Sequence, residues 1–246
     1  MSVDFRLASV FVVVVLSFLK ERQDMFPNKT NFIFKCLCSL FTIGVMLANH
    51  QTCEAAEKAP QNQKWQSLFD GKTLEGWKST QFGGEGEVHV KDGQIVLEMG
   101  SSLTGITYKG EVPKTNYEIS LEAMQVEGID FFCCLTFPVA DSHCSFVVAG
   151  WSGSVVGLSS IDGRDASENE TTQSLDFKNG KWYKVRVRVT PEKIEAWIDD
   201  KNMVDVDIED KKITTRPEVD LSKPIGIASW ETKAALRKIQ IRKLTK

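Results

Sequence analysis

Hydrophobic and polar residues alternate along most of the chain after residue 64. The alternation is clearest in four stretches, Asn116–Met124, Trp182–Thr190, Lys193–Asp200 and Met203–Ile208. A period of two is typical of β-strands that bury one face. After residue 64 no stretch keeps apolar residues at a helical period over the length of a helix. The pattern therefore predicts an all-β domain.

Turn signals separate these stretches. The dipeptides Asp70-Gly71, Asp92-Gly93, Asp162-Gly163 and Asn179-Gly180 favour the positive φ angles of tight turns. Many alternating strands joined by such turns predict an antiparallel sandwich or barrel of two sheets. The stretch from Trp65 to Lys246 suffices for one such domain.

The first 64 residues differ from the rest because they hold two apolar stretches, Leu7–Leu19 and Ile33–Ala48. Both are shorter than the ~20 residues of a spanning helix. The second follows Lys29 and precedes small residues near Ala55, which is the arrangement of a secretory signal. We therefore expect residues 1–56 to be an upstream extension plus a signal peptide, with translation starting at Met1 or Met25. An N-terminal membrane anchor is the alternative. Residues 57–64 read as a linker, and residues 65–246 as the folded domain.

The composition of the chain limits the classes of partner that we expect the protein to bind. The chain has 246 residues and a formal net charge of −3, without a clustered basic stretch in the domain. Nucleic acid is therefore not an expected partner, because phosphate binding needs clustered Lys and Arg. We expect membrane contact only through the N-terminal segment, and an exported location: periplasm, cell surface or secreted.

The cysteines of the domain are Cys133, Cys134 and Cys144. Cys133 and Cys134 are neighbours on a predicted strand, so their side chains point to opposite faces and at most one can pair with Cys144. One disulfide and buried free thiols both remain open at this stage.

Several stretches together resemble one protein family. Trp65–Lys78 is similar to its opening motif, Val88–Glu98 to an early hairpin, Phe177–Asp207 to its late hairpins and Ser222–Leu244 to its closing motif. This is the 3-keto-disaccharide hydrolase-like domain family. The resemblance implies a concanavalin/laminin-G-like jelly-roll sandwich of two antiparallel sheets. It also implies action on sugars, including glycosides oxidised at the 3-position.

One departure from the family concerns the proposed sugar-binding face. Family members commonly carry a Glu-x-Gln-hydrophobic-x-Asp pattern on a central strand. The matching stretch Gly157–Asp162 keeps Asp162, but Gly157 and Ser159 stand where the family has Glu and Gln. The resemblance thus makes Asp162 the first candidate for catalysis and Ser159 a candidate for substrate binding.

The loop after Asp162 is rich in carboxylates. Asp162, Asp165, Glu168 and Glu170 lie within nine residues, and Arg164 between them could keep one carboxyl ionised. Such a cluster could supply the two carboxyls of glycoside hydrolysis. It could also ligate Ca²⁺, or it could be a solvated loop.

The remaining candidates are aromatic or titratable. Trp151 and Trp230 are expected at strand positions, where flat indoles could contact sugar rings. His143, expected in a loop, and Glu231, next to Trp230, are further candidates for acid–base chemistry.

Three functions remain open from the sequence. The first is an exported hydrolase or lyase acting on glycosidic bonds, with Asp162, Asp165, Glu231 and His143 as catalytic residues. Its substrate-binding residues would be Trp151, Arg164, Trp230 and Ser159. The second is a non-catalytic carbohydrate-binding module, and the third is a cell-surface interaction domain.

Overall fold

The computed structural model describes residues 64–245, in which two antiparallel β-sheets pack face to face. Fifteen strands follow one another along this part of the chain: β1 (Gln66–Ser67), β2 (Trp77–Ser79), β3 (Val88–Lys91), β4 (Gln94–Leu97), β5 (Leu103–Tyr108), β6 (Tyr117–Glu127), β7 (Cys133–Val139), β8 (Ser142–Ala149), β9 (Val155–Ser159), β10 (Gln173–Ser174), β11 (Trp182–Val189), β12 (Lys193–Ile198), β13 (Lys201–Asp207), β14 (Gly226–Trp230) and β15 (Lys233–Lys243). A short helical turn (Gly150–Gly153) and a 3-10 helix (Pro217–Ser222) interrupt them.

The first sheet has the spatial order β13-β12-β11-β6-β15-β4-β3, with β1 paired to β15, and the second has the order β10-β9-β8-β7-β14-β5-β2. This architecture confirms the predicted all-β jelly-roll sandwich. The predicted signal segment lies outside the described residues. Within residues 64–245 no helix has the length and apolarity needed to cross a membrane.

The core lies between the sheets and follows the alternation of the sequence. On β6, Tyr117, Ile119 and Leu121 are buried against the second sheet, and Val185 and Val187 of β11 lie opposite them in the ladder. The Tyr117 hydroxyl, buried with its ring, donates to the carbonyl of Pro138 at 2.6 Å. The predicted inward faces are therefore confirmed.

Two of the four predicted turns have positive φ angles at both residues. In the first turn the φ angles are 52° at Asp92 and 77° at Gly93. In the second they are 51° at Asp162 and 77° at Gly163. Two successive positive φ angles are those of a type I′ turn, in which Gly and Asp cost little.

The outer face of the first sheet is closed by an ion-pair network. The Glu118 side chain is fully buried and accepts hydrogen bonds from Arg186 (3.0 Å), Arg188 (2.7 Å) and Arg242 (2.6 Å). Burial alone would raise the pKa of this carboxyl, but the hydrogen bonds from Arg188 and Arg242 outweigh it and hold the pKa below its usual range.

The arginines of this face also cover tryptophans. The guanidinium carbon of Arg186 lies 3.6 Å from the ring centroid of Trp197. The same distance is 3.9 Å for Arg237 and Trp182, and 4.5 Å for Arg242 and Trp65. A guanidinium over an indole face is a favourable cation–π contact. These three indoles therefore have a structural role on this face.

Replacing Glu118 by glutamine should lower the free energy of unfolding by about 3 kcal/mol at pH 7, because the arginines would lose their shared buried carboxylate. The pKa of Glu118 is lowered on folding, so its contribution is present above the ordinary glutamate pKa of about 4.3 and is lost as the pH falls through the folded value. Urea denaturation should show the difference shrinking from pH 7 to pH 3.

The matched control is Glu122→Gln. Glu122 pairs with Arg237 and Lys238 but is partly exposed, so its loss should cost less than about 1 kcal/mol. Equal losses for the two variants would contradict the central role of Glu118.

Candidate functional site

A cavity of about 210 Å³ lies on the outer face of the second sheet. Its lining is mainly apolar and aromatic, with a few polar groups: Leu103, Asp130, Phe131, Cys134, Ser145, Val147, Trp151, Ser159, Arg216, Glu218, Val219 and Trp230. This balance, an apolar cavity with a few convergent polar groups, is the usual make-up of a small-molecule site.

The cavity exists because the central strands of this sheet are buried on both faces. Every residue of β7 is buried, and so are the last six of β8. Cys133 and Phe137 point into the core between the sheets, whereas Cys134 points to the outer face. An apolar outer face must be covered by other parts of the chain.

Two segments supply that cover, and one of them, the 3-10 helix with the preceding Arg216, forms a wall of the cavity. Val219 of the 3-10 helix and Ala166 of the loop after β9 are buried in one cluster with Leu103 and Cys134. Arg216 links the two segments, because its guanidinium donates to Asp165 at 2.8 Å and to Glu218 at 2.9 Å.

The carboxylate-rich loop is fixed by hydrogen bonds of buried polar groups. The Asn169 amide donates to the carbonyls of Leu158 and Asp165, both at 2.7 Å, and accepts from the backbone N–H and hydroxyl of Thr171. The Thr171 hydroxyl in turn accepts from the Leu158 N–H at 2.9 Å. The loop is thereby fixed to strand β9.

The fixed loop gives a physical reason for Gly157. A Cβ atom at this position would lie 3.1 Å from the carbonyl oxygens of both Ala166 and Thr171. The loop therefore fills the space that a larger side chain would need. The glutamate expected from the family has no room in this arrangement.

The hydroxyl of Ser159 is the most informative polar group of the cavity. Ser159 is 2% exposed, and its Oγ atom has no hydrogen-bond partner. A buried hydroxyl without a partner costs free energy in the folded protein. It is a vacant donor and acceptor at the cavity wall.

The three thiols are free and buried, which resolves the question left open by the sequence. Burial raises the pKa of Cys134, the thiol that lines the cavity, to about 12. Cys134 is therefore protonated at neutral pH and acts as a small apolar side chain, since the thiolate is the reactive form.

Trp151 stands on a turn at the cavity mouth, not on a strand as expected. Ala149, Trp151 and Ser152 have φ angles of 69°, 50° and 68°. Left-handed angles at non-glycine residues cost on the order of 1–3 kcal/mol each, so surrounding contacts must hold them. Gly153, at φ 106°, allows the turn to approach the Ile129 carbonyl, where a Cβ atom would lie at 2.8 Å.

Asp130 supplies the contact that holds this turn. One carboxylate oxygen accepts from the Phe131 N–H at 2.7 Å, and the other accepts from the Ser152 N–H at 3.1 Å. The backbone of Asp130 is fixed in turn by the buried Thr232 hydroxyl and by the Gln125 amide.

Of the eight residues predicted for the site, three line the cavity: Trp151, Trp230 and Ser159. Asp165 reaches the wall only through its ion pair with Arg216. Asp162, Arg164, Glu231 and His143 are not among the lining residues. The structure therefore does not bring the four predicted catalytic residues together in the cavity.

The outlying residues have other surroundings. Asp162 is exposed, and its carboxylate accepts from the Lys212 N–H at 2.8 Å, which ties the end of β9 to residues 211–214. Arg164 is exposed in the same turn, and Glu231 is exposed beyond β14. His143 lies on β8, not in a loop, and partial burial and then Lys223 lower its pKa.

The two carboxylates of the lining were missed by the sequence analysis. The Arg216 hydrogen bond lowers the pKa of Glu218, and both oxygens of Asp130 accept backbone N–H groups. The mainly apolar sequence of β7 was the available signal, since a strand with apolar residues in succession is buried on both faces. Across residues 64–245 no three His, Cys, Asp or Glu side chains are grouped as a metal site. Calcium binding stays a prediction.

The fold and the cavity define a class of protein, the carbohydrate-active jelly-roll domains of the hydrolase-like or binding kind. A family model described as 3-keto-alpha-glucoside-1,2-lyase-like domain matches residues 64–242, and the chain belongs to this family. The resemblance read from the opening and closing motifs is thereby confirmed. No curated protein matches the chain.

Solved structures of similar fold include a carbohydrate-binding module, CBM66, from Bacillus subtilis, at 11% identity and a TM-score of 0.47, covering 68% of this chain and 96% of that one. Domain 4 of AbnA, a GH43 extracellular arabinanase from Geobacillus stearothermophilus in complex with arabinotriose, has 14% identity and a TM-score of 0.49, with coverage of 77% and 96%. The apo Crh5 transglycosylase has 12% identity and a TM-score of 0.48, with coverage of 78% and 91%.

Introducing the family glutamate by Gly157→Glu should displace the loop and destabilise the domain by about 2 kcal/mol, because overpacking a filled site is costly. Hydrogen exchange should show faster exchange of the amides of residues 165–171, and urea denaturation should give the loss. Gln173→Glu, which adds the same charge on the exposed strand β10, is the control. Unchanged exchange in Gly157→Glu would contradict the account of the loop.

Proposed function

We propose that the protein is a carbohydrate-binding domain that holds one sugar unit of its ligand in the cavity of the second sheet. Phe131 and Trp230 line that cavity together with aliphatic side chains. Aromatic faces suit the apolar faces of sugar rings, and their polar edges and neighbouring groups suit hydroxyls. Membership in a family defined by action on glucosides supports a saccharide over other small molecules.

The observation that carries the proposal is the unpartnered hydroxyl of Ser159. A site that leaves a buried hydroxyl without a partner in the free protein gains a hydrogen bond when a ligand hydroxyl arrives. Sugar hydroxyls both donate and accept, so they match a group that can do either.

The charges at the rim favour an uncharged ligand. Arg216 is shared between Asp165 and Glu218, so the positive charge at the rim is already compensated by carboxylates. These groups can hydrogen-bond to hydroxyls, while a charged ligand would have to compete with existing ion pairs.

Replacing Ser159 by alanine tests this proposal through two opposite effects. Loss of the unpartnered hydroxyl should raise the free energy of unfolding by about 1 kcal/mol. It should also weaken saccharide binding by about fivefold, since one hydrogen bond of about 1 kcal/mol is lost. Calorimetric titration with methyl α-glucoside, kojibiose, maltose, isomaltose and cellobiose measures binding, and thermal denaturation measures stability.

The matched control is Ser222→Ala. Ser222 has an equally buried and unpartnered hydroxyl, but it does not line the cavity. The Ser222→Ala substitution should raise the free energy of unfolding in the same way and leave the saccharide affinity unchanged. Equal affinities for the two variants, or no binding of any of these saccharides by the wild type, would contradict the proposal.

A second candidate function is cleavage of a glycosidic bond, which the family description favours. Cleavage needs a proton donor, and the lowered pKa of Glu218 suits a base or a fixed charge better than an acid. The sequence assigned the catalytic roles to Asp162, Asp165, Glu231 and His143, and these roles stay predictions.

Incubation with kojibiose and with its 3-keto derivative separates the two functions. We expect no release of glucose or 3-keto-glucose above the level without protein, because the lowered pKa of Glu218 makes this lining carboxylate a poor proton donor. Release that is lost in Asp162→Asn or Glu218→Gln would replace binding by catalysis as the function. Gln173→Glu serves again as the control variant.

A further inference from the structure

The mouth of the cavity carries an exposed apolar surface that the binding of one sugar unit does not use. Trp151 is 40% exposed although it also lines the cavity, and Ile129 beside it is 75% exposed. The two are adjacent because Gly153 of the turn packs on the backbone of Ile129. This surface, which we name the outer platform, therefore continues from the cavity wall into solvent.

The outer platform is held in place rather than left free. Both oxygens of Asp130 are engaged by backbone N–H groups on the two sides of the platform, one at Phe131 and one at Ser152. The turn keeps left-handed φ angles that an unrestrained Trp-Ser pair would seldom adopt. A large exposed indole held in a fixed position is suited to contact a flat ligand surface at low entropic cost.

The two segments that cover the outer face of the second sheet determine the direction in which a ligand can extend from the cavity. The loop of Asp165–Thr172 and the 3-10 helix occupy parts of the outer sheet face beside the cavity. Trp151 lies just after β8, in the turn that leads back into β9 at the edge of the cavity. A ligand longer than one unit would therefore continue over Trp151.

We propose that Trp151 binds a second sugar unit, so that the site takes the end of an uncharged saccharide of at least two units. This inference rests on the proposed function of the cavity, because it assigns the outer neighbour of the unit held there. Asp130 acts as a positioning residue for the platform: its carboxylate is engaged by the backbone and orients Trp151.

The experiment compares the affinities for methyl α-glucoside and kojibiose by calorimetric titration of the full chain. The wild type should bind the disaccharide at least fivefold more tightly than the monosaccharide. Trp151→Ala should weaken the disaccharide several-fold more than the monosaccharide, so that the ratio falls towards one. Ser159→Ala should weaken both ligands equally and keep the ratio.

Two further variants separate positioning from contact. Asp130→Asn keeps the size of the side chain but loses one of its two acceptor oxygens, so the disaccharide affinity should fall by more than the monosaccharide affinity and the ratio should decrease. Its thermal denaturation midpoint identifies a variant that merely unfolds. Met99→Ala, at a position of matching exposure (43%) outside the cavity lining, should change neither affinity.

Each outcome bears on a separate claim. The outer platform is overturned if the ratio of disaccharide to monosaccharide affinity persists in Trp151→Ala. An equal loss of affinity for both ligands would be such a case, because Trp151 would then contact only the sugar unit in the cavity. Absence of binding of both ligands to the wild type, or unchanged affinities in Ser159→Ala, overturns instead the proposed function on which the platform rests.

Discussion

The central strands of the second sheet are buried on both faces, and the rest of the molecule is arranged around that constraint. Strands β7 and β8 bury one face against the first sheet and the other against the chain that returns over them. Leaving such a face in water would cost about 25 cal/mol for each Å² of apolar surface. The loop after β9 and the 3-10 helix cover it incompletely, and the cavity is the space that they leave.

The first sheet has a polar outer face instead, and the tryptophans on the two outer faces therefore have different surroundings. Its outer face carries a network of ion pairs between Glu118 and its arginines. Those arginines lie on the indoles of that face, so each of these indoles is held in a cation–π contact. Trp151 and Trp230 stand instead over an apolar floor with their surfaces turned to a cavity. Tryptophan thus has a structural role where arginines lie over the ring, and lines the cavity where they do not.

Strand alternation and turn dipeptides were enough to predict the sandwich, because both depend on neighbours in the sequence. They could not predict the bulge of β15, where the register shifts between Arg237 and Gln240, so that Arg237 and Lys238 both reach Glu122. Ser159 and Trp230 were predicted for the site from the family pattern and from aromatic character. Asp130, Arg216 and Glu218 were missed, because the loops that bring them to the cavity pack over strands distant in sequence. The carboxylates nearest Asp162 were predicted to be catalytic, but none of them is among the residues that line the cavity.

The central claim is that a sugar unit occupies the cavity beside Ser159. The most direct measurement is a crystal structure of the protein grown in a saturating concentration of kojibiose. We predict a sugar ring against Trp230, with one of its hydroxyls about 2.8 Å from the Ser159 Oγ atom, an ordinary hydrogen-bond distance. A saccharide bound at another surface, with only water beside Ser159, would contradict the account.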